Sequence, residues 1–65
     1  MSLGERIKEA RGTMTQRDLA DKLGVDPISV SRWERGVVEL TVRRVRQISE
    51  ATGKPLEFFV EEVSA

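Results

Sequence analysis

Residues 16–35 read Gln16-Arg17-Asp18-Leu19-Ala20-Asp21-Lys22-Leu23-Gly24-Val25-Asp26-Pro27-Ile28-Ser29-Val30-Ser31-Arg32-Trp33-Glu34-Arg35, and this stretch decides the fold. Leu19, Ala20 and Leu23 share one side of a short helix, and Val30 and Trp33, at i and i+3, share one side of a second. Gly24-Val25-Asp26 separates them. A glycine at 24 adopts the positive φ that ends a helix and begins a tight turn. Asp26 is an N-cap residue, and Pro27 occupies the first helical position, where its missing N–H leaves no bond unmade. Two short helices joined by a three-residue turn containing glycine form a helix-turn-helix. Ala20 is small enough for the two helices to cross closely. Val25, Val30 and Trp33 point inward and fix the interhelical angle, while Leu19 and Leu23 tie the first helix to the rest of the core. The outer side of the second helix keeps Pro27, Ile28, Ser29, Ser31, Arg32 and Arg35.

The same punctuation continues on both sides of this stretch. Ser2-Leu3-Gly4-Glu5 has the form of a capping box, and Thr15-Gln16-Arg17-Asp18 approaches it. Thr41 is a further N-cap residue, and Lys54-Pro55 sets a proline at another helix start. Gly12, Gly24, Gly36 and Gly53 each stand after a helical segment. Leu3, Ile7 and Ala10 form one apolar stripe; Val42, Val45, Ile48 and Ala51 form another; Leu56, Phe59 and Val60 form a short last one. The spacing predicts helices over about 2–11, 16–23, 27–35, 41–52 and 55–61, with ends fixed to about two residues. No segment alternates as a strand does, and there is no internal repeat or low-complexity linker. The expected class is all-α: a compact five-helix bundle, one domain over residues 1–65 with its motif at about 16–35. Residues 62–65 are expected to fray.

Composition narrows the function classes. In 65 residues only one core is possible. A chain of this size buries roughly 60% of its unfolded surface, so the fold needs efficient helix packing or a partner subunit. The absence of cysteine and histidine removes disulfides, the usual zinc ligands and the usual general base. Ser29 and Ser31 therefore have no histidine to activate them, and no lysine stands at a spacing that suggests a dyad. With no glycine-rich phosphate loop and no metal-ligand cluster, the chain is not read as an enzyme, and no cofactor or metal is expected. The start lacks a basic segment followed by an apolar run, and no stretch is apolar enough to cross a membrane, so a cytoplasmic protein is expected.

The 11 basic and 11 acidic residues cancel, which weighs slightly against a nucleic-acid partner. Their distribution weighs the other way. Arg32, Arg35, Arg43, Arg44 and Arg46 cluster against only Glu34 and Glu39, whereas Glu57, Glu61 and Glu62 lie at the far end.

The run from Thr15 to Val25, followed by Ile28-Ser29-Val30-Ser31-Arg32-Trp33-Glu34-Arg35-Gly36, resembles the phage repressor and Cro family of helix-turn-helix regulators. Ile48-Ser49-Glu50-Ala51-Thr52-Gly53 and Leu56 fit that family's fourth and fifth helices, so the resemblance covers nearly the whole chain. It implies sequence-specific binding of double-stranded DNA, with helix 27–35 in the major groove. Pro27, Ile28, Ser31 and Arg32 match positions that face base edges. Gln16 matches a glutamine that bonds a phosphate and braces the reading helix. Arg17, Ser29 and Arg35 are further phosphate candidates. Glu34 matches an acidic residue paired with a cation from the first helix, for which Arg11 is the candidate.

Two departures from the family's pattern shift these roles. The loop Gly36-Val37-Val38-Glu39-Leu40 is apolar and acidic where relatives are usually basic, which moves phosphate binding onto Arg43 and Arg44. Pro27 and Ile28 replace polar readers, which leaves direct readout mainly to Arg32, with Ile28 against a thymine methyl. Trp33, at helical spacing from Val30, is read as core rather than as a stacking platform for bases. Phe58, beside Phe59, is expected to point away from the core, as an incidental exposed ring or a dimer contact.

The implied partner is a palindromic operator bound by a homodimer that acts as a transcriptional regulator, a repressor in the first instance, with no small-molecule ligand and no membrane. The alternatives are a protein-interaction module of the same fold, an antitoxin or controller subunit, and the DNA-binding part of a longer regulator.

Overall fold

The computed structural model describes residues 2–60. It has five helices: α1 (Leu3–Arg11), α2 (Gln16–Leu23), α3 (Pro27–Arg35), α4 (Val42–Thr52) and α5 (Leu56–Val60), with no strand among the described residues. The expected frayed end at 62–65 lies outside the described residues.

The caps act as their residue types dictate. Ser2 and Thr15 each accept the backbone N–H three residues on, from Glu5 and Asp18, and those acidic side chains accept the cap residue's own N–H. Asp26 caps α3 through the N–H of Ile28, and Thr41 caps α4 through that of Arg44. Ser2 and Thr41 are thus the caps that their sequence signals indicate, each one residue before its helix, and α5 begins one residue after Pro55. The turn of the motif is closed by two backbone bonds: Val25 N–H to Ala20 O at 3.0 Å and Gly24 N–H to Asp21 O at 3.3 Å. Gly24 has φ +71° there. The same double closure follows α3, from Val37 to Arg32 and from Gly36 to Trp33. Both are Schellman endings, which satisfy carbonyls that a helix terminus otherwise leaves orphaned.

One core gathers a contribution from every helix: Ile7 and Ala10, Leu19 and Ala20, Val30 and Trp33, Val45 and Ile48, and Phe59. The most extensive contacts join α3 to α2 and to α1, so the second helix of the motif is held from two sides. The α1–α3 contact is closest at Gly4. It is buried, and a Cβ there would lie 2.8 Å from the Trp33 carbonyl oxygen and 2.8 Å from the Glu34 carbonyl carbon. Only a glycine lets α1 approach the end of α3 so closely.

Three expectations need correction. Val42 is 67% exposed: the inward line of α4 runs through Val45 and Ile48 and does not extend to the first residue of the helix. Val60 is 41% exposed, because successive helical residues turn by about 100° and cannot both follow Phe59 inward. Phe58 is half-buried against the core rather than pointing away. Its ring meets Phe59 edge-on, with centroids 5.4 Å apart, and lies 5.2 Å from the Arg6 guanidinium and 5.5 Å from the Lys54 ammonium. Two cations and a ring edge suit the faces and rim of one aromatic quadrupole.

Candidate nucleic-acid interface

The outer side of α3 is open. Ile28 is 52% exposed, and Arg32 and Arg35 are exposed beside it. These three residues, at spacings of four and three, form one line opposite Val30 and Trp33. Pro27, Ser29 and Ser31 are half-buried and flank that line. Ser29 faces a groove that it lines together with Trp33, Val38, Thr41 and Arg44.

A charged network braces the helix from behind. Arg11 Nε donates to Glu34 Oε2 at 2.6 Å and Arg11 Nη2 to Glu34 Oε1 at 3.1 Å, while Arg11 Nη1 donates to the Met14 carbonyl at 2.9 Å. The pairing expected from the first helix is therefore present. The hydrogen bond to Glu34 raises the proton affinity of the guanidinium further. Gln16 Nε2 donates to Glu34 Oε1 at 3.0 Å. The start of α2, the end of α1 and the end of α3 thus meet at one carboxylate. A glutamine amide carries two N–H bonds, so Gln16 retains a second donor beyond the one given to Glu34.

The arginines of α4 have different surroundings. Arg43 and Arg46 are exposed. Arg44 is half-buried, its guanidinium 5.3 Å from the centre of the Trp33 ring and its Nη1 donating to Gln47 Oε1 at 3.0 Å. Arg17 is exposed on the first turn of α2. In the loop before α4, Val37 and Val38 are exposed while Leu40 packs on the core. Gly4, Gln47 and the Arg44–Trp33 contact carry no signal in the sequence, because each depends on which helices become neighbours.

An open, basic second helix set on a glycine turn defines a helix-turn-helix domain. The chain belongs to the helix-turn-helix family, a family of DNA-binding transcriptional regulators, which it matches over residues 7–59. Among individual proteins it is similar to the HTH-type transcriptional regulator DicA of Escherichia coli (strain K12), with 40% identity over 52 residues. The aligned region is 77% of this chain and 38% of that relative, so the chain spans less than half of the relative's length. No solved structure matches the chain. No helix among the described residues is long and apolar enough to cross a membrane.

Proposed function

We propose that this domain is a transcriptional regulator, acting as a repressor, that binds a palindromic double-stranded DNA operator as a homodimer. The observation that carries the reading is the exposed line Ile28–Arg32–Arg35 on a helix braced by the core on one side and by Arg11, Gln16 and Glu34 at its end. A helix of this diameter fits the major groove, where an arginine forks onto guanine N7 and O6 and an apolar side chain meets a thymine methyl. Base edges are read by Pro27, Ile28, Ser31 and Arg32, and Arg32 carries most of the discrimination. Phosphates are held by Gln16, Arg17, Ser29, Arg35, Arg43 and Arg44, which fix the register without reading sequence. The domain acts in the cytoplasm by binding alone, without catalysis.

One reading helix spans too few base pairs for useful specificity. Two copies related by a two-fold axis place their helices about one DNA turn, ~34 Å, apart. Val37 and Val38 are the candidate contact between copies. Phe58, half-buried against the core, offers less surface for such a contact. The same exposed valines suit a protein-interaction module of this fold, which is the second reading.

Selection of bound sequences from random duplexes, followed by footprinting, separates the two. The expected result is a palindromic consensus protected over two half-sites one helical turn apart. Enrichment of no sequence would favour the protein-interaction module.

A further inference from the structure

Arg44 differs from the other basic residues of α4 because it is held in place on two sides. Its guanidinium lies 5.3 Å from the centre of the Trp33 ring and donates to Gln47 Oε1 at 3.0 Å. Trp33 is itself 7% exposed and packed in the core, so the ring offers the guanidinium a face backed by the core. The Gln47 bond comes from the next turn of the same helix, at i+3, where side chains are neighbours. A free arginine loses much rotamer freedom when it is ordered on a ligand, and one already held loses less. The held cation lines the groove that also carries Ser29 and Thr41, two hydroxyl residues of the size and chemistry that bind phosphate oxygens. Glu39 also stands on this groove and is exposed to solvent.

We propose that Gln47 and Trp33 are positioning residues for a DNA backbone phosphate: they hold the Arg44 guanidinium in place at the groove lined by Ser29 and Thr41. The inference rests on the DNA-binding reading above. Gln47 does not touch the phosphate. It keeps the arginine in the orientation in which its remaining N–H groups are offered to the groove, since one of its five donors is spent on Gln47.

The test is a double-mutant cycle on the selected operator, with Gln47→Ala, Arg44→Met and the double variant titrated at several salt concentrations. Methionine keeps an apolar stem over Trp33, so the fold is retained without the charge. Thermal melting of each free variant checks this. Arg44→Met should reduce the salt slope by roughly one per half-site. Gln47→Ala should weaken binding about two- to five-fold per half-site on every sequence, with the salt slope unchanged. In the Arg44→Met background Gln47→Ala should have no further effect. Equal losses from Gln47→Ala in both backgrounds, or no loss in either, would overturn the proposal while leaving DNA binding intact. A wild-type protein that selects no duplex would overturn it together with the DNA-binding reading.

Discussion

Arg11 and Glu34, on the first and third helices, are joined at two points: Nε to Oε2 at 2.6 Å and Nη2 to Oε1 at 3.1 Å. Their side chains are only 16% and 6% exposed. The pair therefore sits under little solvent, and each member depends on the other for compensation of its charge. Taking one partner from a buried pair costs far more than the pair itself contributes, because the charge left behind is poorly solvated.

The two halves of this pair should fail unequally. Arg11→Ala leaves the Glu34 carboxylate with the Gln16 N–H as its remaining hydrogen bond, and should destabilise by roughly 2–4 kcal/mol. Glu34→Gln removes the charge but keeps an acceptor, and leaves Arg11 its bond to Met14; it should cost less, about 1–2 kcal/mol. Urea midpoints of the two variants measure the difference. Equal midpoints would show that the carboxylate does not depend on Arg11.

Close crossings and turns should respond to added carbon for different reasons. Gly4→Ala improves helix propensity by roughly 0.5–1 kcal/mol, yet its Cβ meets the backbone of Trp33 and Glu34, which cannot move aside. The net effect should be a loss of about 1–3 kcal/mol. Ala20→Val, at a position with no exposure, should cost a similar roughly 1–3 kcal/mol by overfilling the α2–α3 crossing. Gly24 has open space around its Cα, but its φ of +71° strains any β-branched side chain, so Gly24→Val should destabilise without a clash. Melting temperatures at or above wild type for these variants would contradict the packing described.

Acid should loosen the first helix through Glu5. Its carboxyl lies below the usual carboxylate range, chiefly because the Ser2 backbone N–H donates to it, at 2.8 Å. A folded-state pKa depressed in this way contributes stability above the unfolded pKa, and that contribution is lost as pH falls through the folded value. Glu5→Gln keeps a capping side chain without the titration. The stability difference between wild type and Glu5→Gln should therefore narrow on acidification, as followed by denaturant midpoints across the carboxylate range. A difference that widened toward low pH would reverse the assignment.

Arg32 and Arg43 should fail differently on DNA. Arg32 stands on the open line of α3, so Arg32→Ala should relax preference at one base pair per half-site, by ~1–3 kcal/mol. Arg43 is exposed near the start of α4, and its proposed role is a phosphate contact alone. Arg43→Ala should weaken all sequences about equally and lower the salt slope by roughly one per subunit. Titrations against operator variants at several salt concentrations read both quantities. The opposite pattern, with Arg43 setting base preference, would displace α3 from the groove.

The sequence by itself determined the helices, because what starts and stops them acts over three to five residues. Ser2, Thr15, Asp26 and Thr41 bond amides within their own first turns, and Gly24 and Gly36 close their helices through neighbouring carbonyls. The inward residues of the motif, Leu19, Ala20, Val30 and Trp33, were likewise legible from helical spacing. Spacing alone could not say where a stripe ends, so Val42 and Val60 looked like core and are exposed. Only the tertiary structure decided what depends on a second helix lying alongside. It brought Gly4 against the end of α3, enclosed Phe58 between Arg6 and Lys54, and set Arg44 over Trp33. A cap finds its partner along the chain, whereas a cation, a ring or a bare Cα finds its partner across space, where the arrangement of all five helices must already be set.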